Sequence, residues 1–408
     1  MTSGGTSMKN HWNRREFISG LGAAAGLALG EPAKMHAAVP TAPVAVAKCK
    51  EYGQAYLDTS QKLFDQLGGL ERLVKGKTVV LKINMTGEAY QRIGFVPAGR
   101  LHWNHPGSIG ATVHLLDRAG ARRIRVVEGA MAWPDSLPEF MYTAGWDPNA
   151  ILRAAPRVEL LNTNLPFPGK KPYTRFTVPH GGHLFPAYDL NTAFAECDVL
   201  ISMAKIKEHA TAGVTLSIKN CFGITPTTIY GDRCGTDEPS PVPYAGRTGI
   251  MHNGNRQPSK SALAEKDPSS PRNGGYRIPR CIADLVAARP VHLTILDGIE
   301  TMAGGEGPWN RDGRPCSPGV LMAGTNCVTT DAVAMAIMGF DPMAERGTAP
   351  FETCDNTLRL AEELGVGTRD LRQIEVIGTP IREALFKFRE VPRSTARVTE
   401  GYRKECTA

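Results

Sequence analysis

The sequence predicts an α/β protein: a mostly parallel sheet, or sheets, with helices on both faces, interrupted by a long irregular insertion at about 225–279. Three observations predict it. Short apolar runs rich in Val and Ile recur along the chain, helical patterns separate them, and one stretch breaks that rhythm. Strands buried on both faces read as continuous apolar runs, and parallel neighbours need a crossover that is usually helical.

The elements follow in order. Thr78–Ile83 is the first strand of the series. Ser108–Ala119 has the 3.6-residue period of an amphipathic helix and ends at Gly120. Strands are expected at Arg122–Val127, Val158–Leu161, Val199–Met203, Leu293–Leu296, Gly319–Met322 and Ile374–Ile377. Asp331–Met338 is an apolar helix, with Thr329-Thr330-Asp331 in front of it as the cap. Thr357–Leu364 is a helix closed by Gly365. Residues 225–279 are dominated by Pro, Gly, Ser, Asn, Asp and Arg; a connection of that length is expected to be a lid, an insertion or unstructured. The organisation expected is therefore a leader over 1–38, an N-terminal extension over 39–77, the α/β domain over 78–385 with a second lobe as an option, and a charged tail over 386–408.

The leader is the firmest of these expectations. Asn13-Arg14-Arg15-Glu16-Phe17-Ile18 places paired arginines before a weakly apolar stretch that runs to Gly30. That stretch is too short and glycine-rich for a bilayer core of ~30 Å. Basic start, modest apolar core and small-residue exit form an export signal, and the paired arginines select the twin-arginine route. Cleavage is expected near Ala37 or Ala38, with the translocase as a partner and the periplasm or exterior as destination. No other segment approaches a membrane span.

Composition narrows the function. Of 408 residues 42% are apolar and 21% charged, and the net charge of +7 is dispersed. No basic run carries interleaved aromatics, so nucleic-acid binding has no footprint. Nine cysteines stand far apart with no Cys-x-x-Cys, which leaves neither an iron–sulfur nor a zinc-ribbon motif. One or two disulfides would be compatible with an oxidising compartment.

Chemistry is expected beyond the carboxyl ends of the strands, where ligands of open α/β sheets bind. Polar residues gather there. Lys82 and Asn84 end the first strand, and Glu128 ends the second. Lys205, Lys207 and His209 follow Val199–Met203, and Lys219-Asn220 comes shortly after. Asp297 ends another strand and leads into Gly304-Gly305-Glu306-Gly307. Lys82, Asn84, Lys205, Lys207, Lys219 and Asn220, with the backbone amides of Gly305 and Gly307, are candidates to bind an anionic substrate. His209 is the candidate general acid or base, with Asp297 to orient it. A divalent metal would take His105, Glu128 and Asp297. His180 and His183, three apart, read as well as a turn.

Several stretches resemble the domain of unknown function 362 family. They are His105-Pro106 through Gly120-Ala121, then Cys197 through His209 with its Lys-x-Lys-x-His, and Thr215-Leu216-Ser217-Ile218-Lys219-Asn220-Cys221-Phe222-Gly223. Leu293 through Ile299, Pro308 and Thr330-Asp331-Ala332-Val333-Ala334 complete the match, which runs from about Val79 to Gly378. Two departures stand out: Lys82-Ile83-Asn84 replaces the family's usual Lys-Pro-Asn, and the ferredoxin-like domain of some members is missing. The resemblance implies that the Lys/His/Asp residues share one site, and it supplies no reaction. Three functions stay open: an enzyme acting on an anionic small molecule, a redox accessory protein carrying a metal or cofactor, and a non-catalytic anion-binding protein.

Overall fold

A computed structural model describes residues 39–130, 134–169, 171–242 and 245–392. The twin-arginine segment lies outside the described residues. An eight-stranded sheet organises the rest: β1 (Val44–Lys48), β2 (Thr78–Lys82), β3 (Arg123–Glu128), β4 (Val158–Asn162), β5 (Val199–Lys205), β6 (Leu293–Gly298), β7 (Val320–Gly324) and β8 (Val376–Gly378). The spatial order is β8-β1-β7-β6-β5-β2-β3-β4. Only β7 runs against its neighbours, pairing antiparallel with β1 and β6. The other five pairings are parallel, as the apolar runs predict.

Alternation along each strand feeds two cores. Val80, Leu200 and Ala204 belong to one, while Val79, Leu81, Ile201 and Met203 belong to the other. Helices α1 (Gln54–Gln66) and α2 (Pro106–Arg118) cover the second face. Helices α3 (Gly274–Ala288), α4 (Cys327–Ile337) and α5 (Thr357–Glu363) cover the first. Burying whole Val, Leu and Ile side chains contributes about 1.5–3 kcal/mol each, which is why the strands need no alternation with polar residues. No helix among the described residues is long and apolar enough to cross a membrane.

Four expectations change. Segment 39–77, expected as an extension, supplies β1, the second strand from one edge of the sheet, and α1 to one face. Residues 39–392 lie in one compact unit, in which three two-stranded ribbons accompany the eight-stranded sheet. The tail is packed through residue 392, because Phe388 is buried and the Arg314 guanidinium donates to the carbonyls of Val391 (2.8 Å) and Phe388 (3.3 Å). The insertion ends at α3, which begins at Gly274 and contains Pro279. Proline cannot donate to the carbonyl four residues back. Here that carbonyl, on Gly275, accepts from the Asp355 amide at 3.0 Å instead.

The cap of α4 also differs. Asn326 accepts from the amides of Val328 (2.9 Å) and Thr329 (3.1 Å), so the helix starts at Cys327 and Asp331 lies inside it. Asp331 is buried and accepts from the amides of Ser217 and Ile218, each at 2.9 Å, tying α4 to the chain after β5. Burial pushes its carboxyl up to about 8. The eight described cysteines are all unbridged thiols.

Candidate functional site

The expected residues do gather at the carboxyl edge of the sheet, but they divide into three groups. The first is closed on itself. Lys205 and Asp297 are register partners on β5 and β6, and Lys205 Nζ lies 2.9 Å from Asp297 Oδ2, both side chains fully buried. The ammonium also donates to Tyr52 Oη at 2.8 Å and to the Glu300 carbonyl at 2.7 Å. All three donors are used. Tyr52 donates to Asp297 in turn (3.3 Å) and stacks on His105 with ring centroids 3.9 Å apart. Burial pushes Lys205 down and the Tyr52 phenol up. Asp297 therefore neutralises Lys205 and does not orient His209.

The second group pins the ends of β2, β3 and β5. Lys82 Nζ is 2.6 Å from Glu128 Oε1 and also donates to the Ile83 carbonyl and Asn220 Oδ1. Glu128 accepts from the amides of Met85 (2.8 Å) and Gly129 (2.9 Å). The Asn220 amide nitrogen reaches the carbonyls of Lys82 (3.2 Å) and Met203 (3.1 Å) and Ser202 Oγ (3.1 Å). Packing here is close: a Cβ on Gly129 would stand 2.2 Å from the Gly223 carbonyl oxygen. Asn84 pairs its backbone with Asn104, its amide donating to Asn104 Oδ1 at 2.6 Å. Lys82, Glu128 and Asn220 fix geometry, whereas Asn84 Oδ1 and Asn104 Nδ2 are buried without a hydrogen-bond partner among the described residues.

The third group lacks such closure. Lys207 opens a small hairpin, Lys207–His209 with Gly213–Thr215, directly after β5. Its buried ammonium has one acceptor, the His102 carbonyl at 2.6 Å, and no carboxylate in ion-pair range among the described residues. Burial first, then the charges of Lys219 and Lys205, pushes it well below the usual lysine range. The buried His102 ring has no partner on either nitrogen and meets the Trp309 ring edge-on at 5.8 Å.

Lys219 is half-buried, with Nζ 4.7 Å above the Phe222 ring and no hydrogen-bond acceptor or ion pair among the described residues. Burial, with Lys82 and Arg247 nearby and Glu306 opposing, brings it down to about 8. His209 Nδ1 accepts from the Thr211 amide at 3.1 Å, so its Nε2 carries the proton in the neutral ring. Burial and the charge of Lys219 hold that imidazole well below its ordinary value. His252 is brought down to about 4 by burial and the same lysine. Burial works to raise Glu306, yet His209, the Ala210 amide (3.0 Å) and Trp309 Nε1 (2.8 Å) hold it at about 2. A cavity of about 400 Å³ opens beside His209, lined also by Glu208, Gly305, Arg314, Pro350 and Arg389.

Of the two glycine amides expected to hold an anion, that of Gly307 is already engaged within the loop. The Gly304 amide donates to Glu208 Oε2 (2.6 Å) and the Gly307 amide to Asn310 Oδ1 (3.1 Å). Gly305 and Gly307 serve packing: a Cβ would stand 2.3 Å from the Asn310 side chain at the first and 2.2 Å from the Trp309 ring at the second. Nor do the metal candidates converge. His105 caps α2 with Nδ1, Glu128 is held by Lys82, and Asp297 by Lys205. Among the described residues no three His, Cys, Asp or Glu side chains are placed to share a metal ion. His180 and Gly181 sit in a tight turn, and His183 Nε2 faces the Leu360 carbonyl at 2.9 Å.

Sequence reasoning missed Arg247 and His252, which come from the insertion, and Tyr52, which comes from the supposed extension. Arg247 donates to the Thr225 carbonyl (2.8 Å) and Asn164 Oδ1 (2.9 Å), holding the insertion's start against the site. No periodic pattern flags such residues; only their chemical type does.

Among solved structures the chain is similar to the lactate racemase apoprotein from Thermoanaerobacterium thermosaccharolyticum, at 12% identity and a TM-score of 0.33, over 64% of this chain and 50% of that one. It is also similar to a structural-genomics protein from Thermotoga maritima, at 14% identity and a TM-score of 0.31, over 62% and 52%. The chain thus spans about half the length of each. A search of curated proteins gives no match. The family model described as domain of unknown function (DUF362) matches residues 79–336, from β2 through α4, and the chain belongs to that family.

Proposed function

We propose that the chain is an enzyme that binds a small anionic substrate through Lys207 and Lys219 and moves a proton with His209. One observation carries the reading. Lys82 and Lys205 are each neutralised by a carboxylate, whereas the half-buried Lys219 ammonium has the Phe222 ring against it and no ion pair among the described residues. A partly desolvated cation without a counter-charge is a binding site for an anion. Beside it, His209 is neutral at pH 7 and takes up a proton at Nδ1, the ring nitrogen that otherwise accepts from the Thr211 amide. Glu306, held ionised, stabilises the imidazolium that results. Among the described residues no set of side chains converges on a metal ion, and no step is routed through one.

The test is turnover of a panel of small carboxylates and phosphate esters, followed by proton NMR in deuterated water. His209→Ala should lose activity at least 100-fold while its circular dichroism stays native. Wild-type turnover in that variant would sink the acid–base role. Tight binding without turnover by the wild-type chain would favour an anion-binding protein instead.

We also propose export by the twin-arginine pathway, on the strength of Arg14-Arg15 and the apolar stretch behind them. Replacing both arginines with lysine should leave the protein in the cytoplasmic fraction. Unchanged export of the doubly substituted precursor overturns that reading.

A further inference from the structure

The opposite edge of the sheet holds a second basic feature that the proposed reaction does not use. Where β2 and β3 begin and just before β4, a cleft of about 590 Å³ is lined by Thr78, Arg122, Arg123, Arg125, Arg157 and Glu196. Four guanidiniums face it, and three carboxylates, Glu159, Glu196 and Asp198, lie in ion-pair range of them. Parallel strands bring them there: Arg123 is the register partner of Thr78, and the Ile124 amide donates to the Arg157 carbonyl at 2.9 Å.

The cleft has a built floor. Arg125 is only 3% exposed, and its guanidinium is fixed on three sides. Nε donates to Glu159 Oε2 at 2.9 Å, Nη2 to Glu196 Oε2 at 3.3 Å, and the Phe167 ring lies 5.0 Å from its central carbon. The remaining nitrogen, Nη1, is buried and has no hydrogen-bond partner among the described residues. Around this floor the other arginines are exposed. Arg122 donates to Thr78 Oγ1 at 2.9 Å, and Arg123 lies 3.5 Å from Glu159. Arg157 has no ion pair among the described residues.

A ladder of surface ion pairs is the competing explanation. It accounts for Arg122 and Arg123, whose carboxylate contacts are long at 4.0 and 3.5 Å. It leaves Arg157 and Arg125 Nη1 without a role. We infer that this cleft is a second anion-binding site, selective for a phosphate group, borne either by free phosphate or by a small phosphomonoester. Guanidinium forks match the oxygens of a phosphate in pairs, and a doubly charged oxyanion uses several of them where a monocarboxylate uses one. The volume leaves room for an organic group beyond the phosphate. The edge carrying this cleft is the one away from Lys219, so the two sites load independently.

Isothermal titration of the full chain with inorganic phosphate and, separately, with glycerol phosphate tests this. A saturable site that survives Lys219→Met is expected, weakened at least tenfold in Arg123→Gln/Arg157→Gln. Both replaced residues are exposed, so the thermal midpoint should stay put. Lys219→Met should leave this binding unchanged, which separates it from the proposed substrate site. Tighter binding of the ester would identify a phosphomonoester as the ligand, and equal binding would identify free phosphate. Absence of saturable binding, equal affinity in the double variant, or loss on Lys219→Met would each overturn the inference.

Discussion

Lys219→Met is expected to abolish substrate binding at the carboxyl edge, with at least a 100-fold fall in kcat/KM and little loss of stability. Methionine keeps the length of the side chain and its contact with Phe222 while deleting the charge. In the free protein that charge is partly desolvated, makes no ion pair among the described residues, and is attracted by Glu306 while Lys82 and Arg247 repel it, so its removal costs little stability. In the complex it supplies a charge-assisted hydrogen bond, worth roughly 1.5–3 kcal/mol and more where water is excluded. The pH dependence carries the same signature. Anion binding needs the protonated amine, which is fully present below about 8 and is lost as pH rises through that value. Affinity in the wild type should therefore fall about tenfold per pH unit on the alkaline side. Lys219→Arg, permanently charged, should bind the anion and show no such limb. A flat profile up to pH 10 in the wild type, or native kcat/KM in the methionine variant, removes Lys219 from the site.

The sequence makes the sheet legible because its physics is local. A run such as Val199 to Met203 has no reason to exist outside a strand covered on both faces, and the structure extends it only to Lys205. The location of the site was legible for a related reason: polar residues directly after such runs must lie at the carboxyl edge. What could not be read was which lysine meets which acid. Lys82 is paired with Glu128 because β2 and β3 are neighbours, and Lys205 with Asp297 because β5 and β6 are. Spatial order is a tertiary property, so four lysines that look equivalent along the chain are sorted only by the fold. The same applies to β1, whose place between β8 and β7 follows from no pattern in residues 39–77.

That sorting has a measurable energetic consequence. Lys205→Met is expected to destabilise the protein by about 3–5 kcal/mol, read as a shift in the denaturant midpoint at constant m, because it strands the fully buried Asp297 carboxylate. Loss of the donors to Tyr52 and to the Glu300 carbonyl adds to the effect. Removing both charges together, in Lys205→Met/Asp297→Leu, should recover most of that loss, since an apolar pair also escapes the cost of desolvating two ions. The coupling between the two substitutions should then exceed about 2 kcal/mol, near the upper end of the range for residues in contact. A single substitution costing less than about 1 kcal/mol would mean that Lys205 is wetted and free to meet a ligand, as the sequence first implied. Activity decides between the two views independently of stability. If Lys205 and Asp297 only brace β5 against β6, the folded double variant turns over substrate at the wild-type rate; if Asp297 orients His209, the double variant folds and is inert.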